Sequence, residues 1–310
     1  MAGPIRAGGY PDVSSTSSSG FIPAIWSGRL VEKFYSATVF GDISSTDYEG
    51  EISSLGDKVE IRTVPNIVIR DYQIGGGLTY DNPTSPKVEL NIDRAKYFGF
   101  AINDIDAHQS DLALMDRWSD DGGEQMKIAI DSDLLDEVYV DVSADNSGTT
   151  AGKKSNNINL GVAGTPRQLA ANTVIDFIVD MGQVLDEQDV PETGRWLVIP
   201  AWLSAMVKRS DLKDASISGD GTSIMRNGRI GMIDRFTLYM SNNLSMVQDG
   251  ANRVTNVIAG HKAGLTFASQ MTQMEDLKNP NDFGQLVRGL NVYGFKVIEG
   301  KYLAHGYVYK

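Results

Sequence analysis

The longest regular alternation of hydrophobic and polar positions lies in residues 104–141. Leu112, Met115 and Trp118, then Met126, Ile130, Leu134 and Val138, recur at the spacing of one buried helix face. Asp106 followed by Gln109 supplies an N-cap and its capping-box partner. One helix over this span would be roughly 54 Å long at about 1.5 Å per residue, a strut rather than an ordinary core helix. Gly122-Gly123 interrupts it near the middle, where each glycine costs about 1 kcal/mol relative to alanine. The pattern predicts a strut with a hinge; two helices joined by a Gly-Gly turn are the alternative.

Ahead of the strut the period falls to two. Residues 57–64 place Val59, Ile61 and Thr63 opposite Lys58, Glu60 and Arg62, and residues 87–93 place Val88, Leu90 and Ile92 opposite Lys87, Glu89, Asn91 and Asp93. Residues 95–102 are expected to continue the second strand. The roughly 22 residues between the strands exceed any hairpin loop, so the pair reads as a long ribbon with a functional tip. A two-stranded ribbon is not stable alone in water and is expected to lie on another surface, a neighbouring subunit. Residues 1–20, rich in Gly, Ser, Thr and Pro, read as a mobile arm. Residues 21–40 read as a helix that opens with Pro23, buries Ile25, Trp26, Leu30 and Phe34, and docks on another subunit.

After the strut, residues 143–166 show no period and read as a polar boundary between domains. Residues 171–190 form an amphipathic helix with Val174, Phe177, Ile178, Met181 and Leu185 on one face. Residues 196–199 read as a buried strand, 200–210 as a helix that opens with proline, and 211–229 as loop. Strands follow at 236–240, 253–260 and 264–269, then three β-prone runs to the C-terminus; the spacing of Met271, Met274 and Leu277 leaves helix open in the first.

Charge sharpens the picture. The strut holds twelve acidic residues against Arg117 and Lys127, most of the net charge of −12. Such a surface repels nucleic acid and attracts a basic protein partner. With 0 cysteines, disulfides and thiolate metal sites are excluded, which suits a reducing cytoplasm. The N-terminus lacks the apolar run of a signal peptide, and no stretch approaches the ~20 apolar residues that cross a bilayer. Asp104, Asp106 and His108 are the best candidates for a metal or acid–base site, although helix capping accounts for them more simply. Asp186, Glu187, Asp189 and Glu192 lack the alternation of a calcium loop. His261-Lys262 and His305 read as structural, and Arg70 with Tyr72, Tyr80 and Tyr97 as interface contacts rather than base-stacking groups. Gly75-Gly76-Gly77 is no phosphate cradle, because no Lys-Ser/Thr or helix follows.

The order of these elements resembles the major capsid protein of tailed bacteriophages, with the Hong Kong 97-type fold. FIPAIWSGRL (21–30), VPETGRWLVIPAWLSAMVKRSD (190–211), NGRIGMIDRFTLYMSNNL (227–244), AGHKAGLTFASQM (259–271) and DFGQLVRGLNVYGFKVI (282–298) are similar to segments of such coat proteins. The resemblance implies an α+β fold: an N-terminal arm (1–41), an extended β-hairpin E-loop (42–103), a peripheral domain with a spine helix (104–165), a compact axial domain (166–270) and closing strands (271–310). It implies a shell of hexamers and pentamers around double-stranded DNA, bound without sequence specificity, in a virion assembled in the host cytoplasm. A separate scaffolding protein, a portal and decoration proteins are the implied partners; no cofactor and no membrane are. Arg70, Asp71, Tyr72, Gly76 and Tyr80 would make E-loop contacts, Gly122 and Gly123 the spine hinge, and Asp131, Asp133 and Asp136 an acidic face for the scaffold. Two alternatives are an encapsulin-type compartment, which shares the fold, and a metal-dependent enzyme using Asp104, Asp106 and His108.

Overall fold

The structure, a computed structural model, describes residues 35–47, 58–62, 65, 67–82, 87–103, 114–210, 232–280 and 284–310. In chain order the elements are α1 (Phe40–Ile43), β1 (Lys58–Arg62), β2 (Lys87–Asn91), β3 (Arg94–Asn103), α2 (Leu114–Glu137), β4 (Arg167–Gln168), α3 (Val174–Glu187), β5 (Arg195–Ile199), α4 (Ala201–Arg209), β6 (Met232–Ile233), β7 (Phe236–Met240), β8 (Met246–Asp249), β9 (Asn252–His261), β10 (Leu265–Lys278), β11 (Gly284–Val297) and β12 (Leu303–Tyr309). They build three sheets: β1-β2; β10-β11-β3; and a seven-stranded sheet ordered β4-β12-β9-β5-β7-β6, with β8 paired to β9.

The seven-stranded sheet is covered on both faces, which is why β5 (RWLVI) is buried at every position. Leu197 and Ile199 meet Phe177, Ile178, Met181 and Leu185 of α3 and Leu203 and Val207 of α4. Trp196 and Val198 face the other way, toward Ile130, Leu134 and Leu135 of α2 and Leu265, Phe267, Tyr293 and Val297 of β10 and β11. Residues 143–166 are no polar linker: Ala151, Ile158 and Leu160 sit in the first of these cores. They lack a period because short bridges (Ala151 with Ile158, Val162 with Thr165) and Asn146 hold them, the Asn146 amide donating to the carbonyls of Lys301 and Leu303.

Among the described residues the strut is a single helix. α2 has 24 residues, about 36 Å, and runs unbroken through Gly122-Gly123 before tightening to a 3-10 turn at Val138–Asp141. The two-helix alternative therefore falls, while the cap at Asp106 lies outside the described residues. In the expected helix at 21–40, residues 35–39 have no helical structure and helix begins only at Phe40; the earlier part lies outside the described residues. Residues 211–229 also lie outside them. The helix left open near Met271 is instead part of β10, a strand of 14 residues with a bulge between Ser269 and Met271.

The ribbon also differs from expectation. β2 does not continue into β3: β2 pairs with β1, whereas β3 pairs with β11 in another sheet. The chain changes sheets where Asn91 crosses β11 at Gly294; a Cβ there would lie 2.0 Å from the Asn91 carbonyl oxygen. A small cluster of Ile61, Leu90 and Ala268, flanked by Val59, Val88, Ile92 and Ile298, seats the ribbon's foot on the molecule.

Candidate interaction surfaces

Beyond that foot, residues 67–82 project without a strand ladder. Their turn closes with the Gly76 N–H donating to the Gln73 carbonyl at 3.1 Å, and Gly75 and Gly77, rather than Gly76, take left-handed φ values of 83° and 72°. Arg70 forms a two-pronged pair with Asp81 at 2.7 and 2.8 Å, clasping the two limbs. It is thus spent within the tip, while Asp71, Tyr72 and Tyr80 face solvent. Seven large apolar residues are exposed here: Ile67, Val68, Ile69, Tyr72, Ile74, Leu78 and Tyr80, with Ile69 at 90% and Ile74 at 94%. Exposed apolar surface this dense makes the tip a candidate interaction surface.

The acidic face expected on α2 is not a face. Asp131 is 0% exposed: its Oδ1 accepts the N–H of Val39 and of Phe40, each at 2.9 Å, and its Oδ2 accepts the Asn243 amide at 2.8 Å. Burial pushes its pKa up, against those hydrogen bonds. Asp133 accepts the Tyr293 hydroxyl at 2.8 Å and pairs with Lys96 at 2.8 Å. Asp136 alone of the three is exposed. Two of the three carboxylates are therefore internal anchors, and the scaffold-docking assignment of Asp131, Asp133 and Asp136 is withdrawn. Nearby, Arg94 binds Glu137 in two-pronged fashion at 2.7 and 2.5 Å and Lys296 binds Asp141 at 2.8 Å, so the sheet is fastened along the C-terminal half of the helix.

The two helix glycines differ in kind. A Cβ on Gly122 would fall 2.7 Å from the Phe98 ring of β3, and one on Gly289 of β11 only 2.3 Å from the same ring. Phe98 therefore sits in a socket made by two glycines, stacked beside Phe100, which meets Trp118 of α2 edge-on at 5.7 Å. A Cβ on Gly123 would meet nothing within 4 Å. Gly122 is explained by packing; only Gly123 is left as a candidate hinge.

The remaining described candidates have structural partners. Asp104, Asp106 and His108 lie outside the described residues, and among the described residues no group of three or more His, Asp or Glu is placed to hold a metal. Asp186 pairs with the fully buried Arg195 and with Arg235, and Arg235 also binds Glu192. Desolvation raises the Glu187 carboxyl, but the N–H groups of Ser155 and Lys154 outweigh it and hold its pKa at about 2. The Asp186–Glu192 cluster thus ties the end of α3 to its neighbours and is no calcium loop. His261 accepts the Ala263 N–H at its Nδ1. His305 is stacked on Tyr139 with its Nε2 2.9 Å from Asn256 Oδ1, and burial lowers its pKa to about 4. Tyr97 stands 81% exposed on the outward face of β3. Sequence reasoning missed Arg195 and Phe98, whose partners are distant in sequence; a mid-helix glycine was the one available signal for Phe98.

The comparisons with known proteins show a family and a fold. A family model described as phage capsid protein matches residues 87–305. No curated protein is similar to the chain. Among solved structures, one from Mycobacterium phage Che8 is 27% identical with a TM-score of 0.76, covering 93% of this chain and 98% of that one. The capsid structure of cyanophage P-SCSP1u (14% identical, TM-score 0.71, 97% and 99% covered) and the mature capsid of bacteriophage PhiM1 (13%, 0.68, 97% and 97%) share the fold. Residues 87–305 take in β2 and β3, the spine helix α2 and the seven-stranded sheet, and the compartment-shell alternative is not favoured. The chain belongs to the phage capsid protein family: it is a major capsid protein of the Hong Kong 97-type fold, a structural subunit of the virion shell.

Proposed function

We propose that each subunit closes its shell by lending residues 67–82 to a neighbouring copy. The observation that carries this is the tip's exposed apolar set, Ile69, Tyr72, Ile74, Leu78 and Tyr80 among them, which no element among the described residues covers. The receiving surface is the outward face of β10-β11-β3, where Tyr97, Leu290, Leu286 and Leu277 form an apolar stripe beside the Arg288–Glu275 pair. In this reading the arm is residues 1–41, and the E-loop of 42–103 functionally ends near Asn91, before β3 joins the peripheral sheet. The spine region (104–165) and closing strands (271–310) form one peripheral unit, and residues 166–270 form the axial unit. The shell encloses double-stranded DNA; with a net charge of −12 the subunit holds it without sequence-specific contacts. A separate scaffolding protein guides assembly, with a portal at one vertex and decoration proteins outside.

Deleting residues 70–82 tests the proposal. The truncated protein should unfold cooperatively, with circular dichroism near that of the full chain, yet electron microscopy should find no closed shells. Closed shells from the truncated protein would overturn the role of the tip, and loss of cooperative unfolding would assign it to the core.

A further inference from the structure

The turn at the end of the tip does not zip the limbs behind it. Gln73, Ile74, Gly75 and Gly76 make one turn, closed by the Gly76 N–H donating to the Gln73 carbonyl at 3.1 Å. Gly75, its third residue, has φ 83°, while Ile74 has no positive φ. That combination is a type II turn, which calls for glycine at this place. A type II turn splays the chains that leave it, whereas hairpin ladders form on the mirror-image turns that match the twist of paired strands. Residues 67–73 and 77–82 accordingly carry no strand ladder. Among the described residues, the Arg70–Asp81 pair is the one side-chain bond that joins the two limbs.

The pair is turned inward. Arg70 donates through Nη1 to Asp81 Oδ2 at 2.7 Å and through Nη2 to Oδ1 at 2.8 Å. Both carboxylate oxygens and both terminal guanidinium nitrogens thus face each other across the limbs, the geometry in which such a pair is strongest. The exposed Ile69 and Tyr80 adjoin the clasp in sequence, and Tyr72, Ile74 and Leu78 lie within the loop that it closes. Without the clasp the splayed limbs would present these side chains in many arrangements, and docking would have to order them at that moment. With it, the ordering precedes docking.

We propose that Arg70 and Asp81 are positioning residues rather than contact residues: they clasp a splayed tip into the shape that a second copy receives, and they make assembly sensitive to ionic strength. The proposal rests on the reading that the tip docks on a neighbouring copy. The two side chains are 45% and 39% exposed, so water and ions reach the pair and it weakens as salt rises.

Light scattering and electron microscopy of the full-length protein test this under conditions in which the parent forms shells. Arg70→Gln and Asp81→Asn each open the clasp but change the net charge in opposite directions. Both should slow assembly at low salt by about 2- to 5-fold, the range of an exposed ion pair. Both should match the parent at about 1 M salt, where screening acts over about 3 Å. Arg70→Asp combined with Asp81→Arg rebuilds the pair the other way round and should restore the parental rate. Opposite effects of the two single variants would make net charge the cause and overturn the proposal. So would single variants that assemble like the parent, or a swapped variant as slow as the singles, which would make Arg70 a contact with the neighbour. Ile74→Ser combined with Leu78→Ser separates the clasp from the docking itself. Closed shells from that variant would overturn the docking; no shells from it, with parental assembly of Arg70→Gln, would overturn the clasp alone.

Discussion

The two halves of the spine helix are equally regular and both acidic, yet they serve different ends. From Ile130 onward the helix is part of the core: Ile130, Leu134 and Leu135 are 0–2% exposed, and Asp131, Asp133 and Glu137 are bound to groups from three other parts of the chain. Before Met126, Arg117, Trp118 and Asp120 are exposed, and the helix makes the Phe98 socket, the Phe100–Trp118 contact and the hydrogen bond from the Tyr35 hydroxyl to Asp121. One half is an anchor and the other a lever. Carboxylates in the anchored half bind groups of the core, whereas those in the lever half make exposed contacts, Asp121 with the Tyr35 hydroxyl and Glu124 with Lys127. Counting acids along the helix cannot separate these roles, because the difference lies in what the tertiary fold brings opposite each one.

The largest effect that could break this contrast is a cavity. Leu134→Ala should destabilise the protein by about 2–5 kcal/mol, since Leu134 is 0% exposed and its surroundings, Trp196 and Ile258 among them, are packed from several sides. Trp118→Ala removes a larger side chain but one already 43% exposed, and should cost at most about 2 kcal/mol. Urea denaturation of the purified subunit measures both. Equal costs would mean that the lever half is core as well.

Acid should loosen the anchored end specifically. His305 of β12 stacks on Tyr139, just beyond α2, and its pKa is about 4 in the folded protein against the ordinary 6.5. The folded state therefore binds fewer protons than the unfolded chain between these values. Stability is fully present above about pH 6.5 and falls as pH drops toward 4, by about 3 kcal/mol in all. Asp131 works in the opposite sense, since its raised pKa makes protonation favour the folded state as pH falls. Urea midpoints from pH 7 to pH 5 should thus decline in the parent and decline less in His305→Phe. Parallel slopes would remove His305 from the account.

Much of this fold is legible in the sequence because its signals are local. The period of α3, the apolar run of β5 and the excess length between β1 and β2 each identify an element without reference to any other. The failures share a cause. The alternation of residues 87–93 runs on into 95–102, and only Gly294, some 200 residues later, shows why the chain must change sheets at Asn91. Helix propensity makes Gly122 a hinge, but the ring of Phe98 makes it a socket. Residues 143–166 lack a period because their glycines take left-handed turns; a Cβ on Gly161, at φ 85°, would lie 2.1 Å from the Tyr307 carbonyl oxygen. The exposure of the tip was legible because its length and its glycines are local signals, whereas the Arg70–Asp81 pair that closes it was not.

The smallest effect concerns the ion pairs that fasten the anchored half. Arg94 and Glu137 are geometrically well matched, but their side chains are 30% and 52% exposed, so water competes for both. Glu137→Gln should cost less than about 1 kcal/mol at low salt and almost nothing at 1 M salt, where screening acts over about 3 Å. Asp133 differs, because it serves both Lys96 and the buried Tyr293 hydroxyl. Asp133→Leu should therefore cost more than Glu137→Gln, and most of that cost should persist at high salt, since the stranded hydroxyl is a desolvation penalty rather than a Coulomb one. Denaturation of both variants at 0.05 M and 1 M salt separates the two terms. If both losses vanish together at high salt, the helix is anchored by charge alone, and the distinction between its halves reduces to ionic strength.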